Sequence, residues 1–177
     1  MSLQDVGLAV NRAIAAFQRR PEMAVHANPA ASAQWESGTR VLTRSSEGMV
    51  FLTDMPKELG GSGDQVTPGW FFRAGIASCA ATSISLGAAV EGVELSALGV
   101  VVESRSDARG LLGMSGGNGV PVYAGLFDVD LKVTIAAKGS SNSELESLVN
   151  RCLAHSPVPC TLETATPFSV HVNVTSE

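Results

Sequence analysis

The feature that most constrains this chain is the segment 67–92. Thr67 and Pro68 are followed by Trp70, Phe71, Ala74, Ile76, Ala77, Ala80, Ala81, Ile84, Ala88 and Val90, and Gly92 closes the run. Threonine is a good N-cap, proline fits the first helical position and glycine fits the position just past the end. The segment therefore predicts one long helix over 67–91. Because it is apolar nearly all round and rich in small residues, it must lie at the centre of the fold with other elements close against it.

The flanking patterns supply those elements. Val6, Val10, Ala13, Ile14 and Phe17 recur at helical spacing behind Ser2 and Asp5, and Pro21 follows Arg19-Arg20, which predicts an amphipathic helix over 1–20 that packs on its own chain or on a partner. Between 23 and 55, β-favouring stretches around Ala33 to Trp35, Arg40 to Thr43 and Val50 to Thr53 are separated by the turns Ser37-Gly38 and Glu47-Gly48, a three-stranded antiparallel meander. The stretch 56–64, with Gly60-Gly61-Ser62-Gly63, reads as a loop that is either mobile or near a ligand.

Beyond the central helix, 95–177 reads as β-β-α-β. Leu95 to Glu103 is a strand, and Phe127, Val129, Leu131, Val133 and Ile135 alternate with polar residues in a second. Between these two strands, 105–122 is a long loop with Gly116-Gly117-Asn118-Gly119, a lid or a dimer contact. Ser141 and Glu144 cap a helix carrying Leu145, Leu148, Val149, Cys152 and Leu153, which Pro157 should end. Phe168, Val170, Val172 and Val174 alternate with Ser169, His171, Asn173 and Thr175 in an expected last strand. The fold class expected is α+β, in one domain spanning 1–177.

At 177 residues, with 45% apolar and 16% charged residues, the chain is long enough to bury its own core. A net charge of −5 without a cluster of Lys or Arg argues against nucleic-acid binding. Arg73 and several Ser, Thr and Gly residues interrupt the longest apolar run, so no membrane span is expected. Asp5, Asn11 and Arg12 break any signal-peptide pattern, and three cysteines form an odd set, which together predict a reduced, cytoplasmic protein. Cys79, Cys152, His155 and Cys160 show no paired Cys-x-x-Cys spacing, and neither a phosphate loop nor a dinucleotide fingerprint is present. No metal and no cofactor are expected.

Three stretches in order resemble the OsmC/Ohr superfamily. Thr67-Pro68 followed by Ala74-Gly75-Ile76-Ala77-Ser78-Cys79-Ala80 is similar to its central helix; Glu91-Gly92-Val93-Glu94-Leu95, with Asp107-Ala108-Arg109-Gly110 after the next strand, is the second; His155-Ser156-Pro157-Val158 is the third, and Leu59-Gly60-Gly61 accompanies them. The resemblance implies an intertwined homodimer in which a curved antiparallel sheet from two chains wraps around two long central helices. It also implies a thiol-dependent peroxidase, in which Cys79 attacks an organic hydroperoxide and a thiol reductant restores it. Arg40, with Arg44 as the alternative, takes the place of the arginine that positions the thiolate. Trp70, two residues after Pro68, occupies the slot where the family commonly has glutamate, and Ser156 stands where the resolving cysteine would be.

A hydroxyl cannot form a disulfide, so resolution of an oxidised Cys79 falls to Cys152, to Cys160 or to an external thiol. Cys152 lies one helical turn before Ser156 and Cys160 four residues after it, and either would need its Cα within about 7 Å of that of Cys79. Cysteine on an Ala-rich helix is otherwise a small core residue, and reactivity requires some exposure and a nearby cation. Trp70, Phe71 and Phe72 serve the core or an apolar substrate pocket. The alternative function is a non-catalytic OsmC-like protein that binds a small apolar ligand in the dimer cleft around Trp70 and Cys79.

Overall fold

A computed structural model describes residues 2–175. Helix α2 (Pro68–Glu91) is the axis of the molecule, capped by the Thr67 hydroxyl accepting from the Trp70 amide and ended by Gly92 in the left-handed conformation at φ 71°. Ile76, Ala80, Ile84 and Ala88 recur every four residues, and all are buried. That spacing puts them in one stripe along the helix, and alternating large with small residues lets neighbouring elements approach closely. Among the described residues, α2 is the only helix long and apolar enough to cross a membrane by length and composition, Arg73 notwithstanding. In this fold it is the scaffold for four other elements, α1 (Leu3–Arg19), β4 (Leu95–Arg105), α4 (Asn142–Leu153) and α5 (Pro157–Glu163).

α1 carries the expected capping box, Ser2 and Asp5 exchanging side-chain and backbone hydrogen bonds. It packs on α2 of its own chain. Gly7 is buried there because any Cβ would collide with the Ala89 carbonyl, so only glycine permits this approach. The contact stripe is rotated from the one expected: Leu3, Val6, Val10 and Ala13 are half-buried, whereas Ile14 and Phe17 are exposed.

β1 (Ala31–Ser37), β2 (Arg40–Ser45) and β3 (Val50–Thr53) form the antiparallel meander, with Trp35 opposite Val41 and Thr43 opposite Phe51. β4 pairs antiparallel with β5 (Phe127–Ala137), Val100 facing Val133. The loop between them is more structured than expected. It holds the short helix α3 (Ala108–Leu111), capped by Asp107, and a turn closed by a bridge from Ser115 to Pro121.

Two expectations for the C-terminal region are corrected. Pro157 does not simply terminate the preceding helix; α4 ends at Leu153, and Pro157 is the first residue of α5. Proline serves both roles, since it lacks an amide hydrogen and its φ suits a helix start. The expected last strand over 168–175 is not formed: this stretch pairs with neither sheet, and Phe168 is 89% and Val172 81% exposed. Alternation specifies a face to be buried, but a strand also needs a neighbour to take its backbone hydrogen bonds. The described part of that region, 95–175, is thus β-α-β-α-α, and the fold class is α+β, as expected.

Candidate active site

Cys79 lies midway along α2 and is half-buried. Its sulfur has two polar neighbours from the far end of the chain, Ser156 Oγ at 3.4 Å and the backbone N–H of Val158, which donates to it at 3.5 Å. Local sequence explains both. Ser156 is the N-cap residue of α5, yet its hydroxyl makes no capping bond; it is wholly buried and instead accepts from Ser83 Oγ at 3.1 Å. Pro157 has no amide hydrogen, so the first free N–H of α5 is that of Val158, and it points at the sulfur. Ser83 follows Cys79 by four residues and so shares its face of α2.

The other two thiols face elsewhere. Cys152 packs its sulfur against Gly87, where a Cβ would have no room. Gly87 is eight residues along α2 from Cys79, about 12 Å at helical rise. Cys152 therefore sits well past the level of Cys79, outside the roughly 7 Å Cα span that a disulfide bridges. Burial, with a contribution from Glu91 and against Arg151, pushes the Cys152 thiol up. Cys160 donates its S–H to the Ala154 carbonyl at 3.4 Å. It lies one turn of α5 beyond Ser156, with its sulfur engaged at Ala154 rather than at Cys79. Trp70 is nine residues before Cys79, about 13.5 Å along α2 and half a turn around it, so it does not border the sulfur.

Arg40 is also elsewhere within the protomer. Its guanidinium donates to Asp64 and, at 3.4 Å, to Asp54; the Asp64 hydrogen bond is the main reason its pKa is raised. Asp54 is 2% exposed and accepts from Thr39 Oγ1 at 2.5 Å, the Met55 amide at 2.8 Å and the Ser62 amide at 2.9 Å. Those donors, the Thr39 hydroxyl foremost, hold its carboxyl well below the usual carboxylate range despite desolvation. The node clamps β2 and β3 to the glycine loop. Gly61 is required there, because a Cβ would strike the Met55 carbonyl. Arg44, the alternative, pairs across the sheet with Val50 and is exposed.

An apolar groove of about 810 Å³ runs between β3 and α2, lined by Val50, Phe51, Val66, Trp70, Phe71 and Gly75 among others. Phe51 and Phe71 meet edge to face, as do Trp70 and Phe71, each pair with centroids 5.6 Å apart. Gly75, one turn before Cys79, is the lining residue closest to the thiol's side of the helix, and Cys79 itself does not line the groove. Sequence reasoning placed Cys79 and Ser156 together only through the resemblance. It missed Ser83, which the four-residue spacing could have flagged, and Val158, which the proline before it could have flagged. Nothing local marks Asp54, whose donors come from three separate segments.

The family model described as OsmC-like protein matches residues 61–171. No curated protein sequence matches the chain. Among solved structures, the fold is similar to an OsmC-like protein from Mycoplasma pneumoniae at TM-score 0.65 and 18% identity, covering 85% of this chain and 98% of that one. It is similar to an organic hydroperoxide resistance protein OsmC from Legionella pneumophila at TM-score 0.56 and 22% identity, covering 78% and 90%. A third likeness, to an organic hydroperoxide resistance protein from Elizabethkingia anophelis, has TM-score 0.58 at 18% identity, covering 80% and 91%. With the family match running from Gly61 through the Cys79 helix and the Ser156 turn, this chain belongs to the family of OsmC-like proteins.

Proposed function

We propose that the protein is a thiol-dependent peroxidase acting through Cys79 on organic hydroperoxides. The observation that carries this reading is the partly buried Cys79, its sulfur met by a hydroxyl and an amide N–H, on a helix whose neighbouring residues Ala74, Gly75 and Ser78 line an apolar groove. The thiolate attacks the terminal oxygen of the hydroperoxide and the O–O bond breaks. The alkoxide leaves as the alcohol after taking a proton, and Cys79 is left as a sulfenic acid. The groove receives the alkyl part of the substrate. The Legionella and Elizabethkingia proteins are described as organic hydroperoxide resistance proteins, which favours the same chemistry here.

The working unit in this reading is a cytoplasmic homodimer of one OsmC-like domain per chain. Phe72, Leu86 and Val90 are spaced at whole turns from Cys79 and are exposed, and the apolar residues of 168–174 are uncovered. A second copy gives both a partner. Reactivity also needs a cation beside the sulfur, and Arg40 is the proposed source, presented across the dimer by the second copy with its Asp54 and Asp64 contacts intact.

The second reading is a non-catalytic protein that holds a small apolar ligand in the groove. It is favoured by the aromatic lining of Phe51, Trp70 and Phe71, together with the absence of a basic group among the contacts of Cys79 in the described residues. Steady-state consumption of cumene hydroperoxide with a supplied thiol separates the two. The peroxidase reading expects Cys79→Ser to fall to the rate without protein; equal rates for both forms would leave the binding reading.

A further inference from the structure

The cysteine positions point to the kind of reductant. We infer that Cys79 works without an internal resolving cysteine and that its oxidised form is reduced by a small monothiol from solution, through a mixed disulfide at Cys79. This rests on the peroxidase reading of Cys79 given above.

Three observations converge on it. The side chain in disulfide range of Cys79 is Ser156, whose oxygen is 3.4 Å from the sulfur, and an oxygen there cannot take the second half of a disulfide. Cys152 is fixed against Gly87, two turns of α2 away, by a contact so close that a methyl group would not fit. Its thiol, pushed up by burial, is also a poor source of thiolate. Cys160 lies in α5 one turn beyond Ser156, with its S–H committed to the Ala154 carbonyl. Bringing Cys152 or Cys160 to Cys79 would mean unwinding the start of α5 or pulling α4 off α2, on which both helices pack. Cys79 is itself only partly buried, the condition under which a small thiol can approach its sulfur.

The chemistry closes with a monothiol as the named co-reactant. The hydroperoxide oxidises Cys79 by two electrons to the sulfenic acid. One monothiol then attacks that sulfur, its S–H proton and the sulfenic hydroxyl leave as water, and an S–S bond joins the two sulfurs. A second monothiol attacks the outer sulfur of this mixed disulfide, releasing the small-molecule disulfide and restoring the Cys79 thiol. Two monothiols supply the two electrons that cleave the O–O bond.

The test treats the reduced protein with one equivalent of cumene hydroperoxide in the absence of thiol, followed by thiol titration, intact mass and dimedone labelling, then by addition of glutathione as the probe. The inference expects one thiol lost per chain, a gain of one oxygen, dimedone on Cys79, and, with glutathione, one glutathione joined to Cys79. Loss of two thiols with Cys79 cross-linked to Cys152 or Cys160, within a chain or between copies, would overturn it while leaving Cys79 peroxidatic. No thiol lost at all would remove the peroxidase reading itself and this inference with it. Ser156→Cys provides the converse arm: the inference expects it to lose two thiols and form a Cys79–residue 156 disulfide that blocks glutathione addition. Retention of glutathione addition in that variant would contradict the claim that position 156 selects the reductant.

Discussion

The molecule contains two polar clusters of opposite character. Around Asp54, four donors from Thr39, Arg40, Met55 and Ser62 converge on one carboxylate, two of them backbone amides. Around Cys79, a hydroxyl and one amide approach the sulfur at 3.4–3.5 Å, and the residue is only partly buried. A saturated cluster has no capacity left for a substrate and acts to hold shape, as in the clamp between the meander and the glycine loop. The unsaturated one retains an accessible reactive atom. The contrast also assigns Arg40 to shape within its own chain, since both its acidic partners belong to the clamp.

Substitutions can break or sharpen that contrast. The largest loss is expected in the scaffold that both clusters share. Ile84 is fully buried on α2, and Ile84→Ala should lower stability by about 2–5 kcal/mol in urea unfolding. A loss below 1 kcal/mol, as for a surface residue, would mean that α2 is not the core element.

The next effect concerns the saturated cluster. Asp54 has a carboxyl depressed in the folded state relative to the unfolded one, so its ionised form stabilises the fold above the unfolded value of about 4 and that contribution fades as pH falls toward the folded value. Asp54→Asn should lower the thermal midpoint at neutral pH and flatten the decline between about pH 4 and pH 2. Parallel acid limbs in the two proteins would show that the carboxylate is not what clamps the loop.

A somewhat smaller loss is expected where Cys152 meets α2. Gly87→Ala should cost about 1–3 kcal/mol through overpacking. Adding Cys152→Ala should recover part of it, since the two side chains compete for one space. Additive losses would mean that Cys152 is not seated on Gly87, and its exclusion from Cys79 would fail with that.

The smallest effect belongs to the unsaturated cluster. Ser156→Ala removes a buried hydroxyl that accepts from Ser83 and neighbours Cys79, and should cost about 1 kcal/mol. Its loss should be clearly smaller than that of Asp54→Asn by thermal unfolding. The reverse order would make the thiol cluster the structural one.

How far these clusters could be read from the sequence follows the same division. The long helix, its caps at Thr67 and Gly92, and the boundaries of β3 are set by local chemistry and were legible. The Cys79–Ser156 pairing joins residues 77 apart and could be reached only through the resemblance in Ala74-Gly75-Ile76-Ala77-Ser78-Cys79 and Ser156-Pro157-Val158. Asp54 was not legible, because Asp in a strand-loop junction is ordinary until Thr39 and Ser62 are brought to it. The 168–175 segment shows the opposite failure: its alternation is a sound strand signal, but no neighbouring strand in the protomer completes it.

The most direct test of the account is a single turnover without reductant. Reduced protein mixed with excess cumene hydroperoxide should consume about one equivalent per chain in a rapid first phase, as expected for one thiolate converted to sulfenic acid, and Cys79→Ser should show no such phase. An equal rapid phase in the Cys79→Ser protein, or none in the wild type, would contradict the assignment of Cys79 as the reactive group.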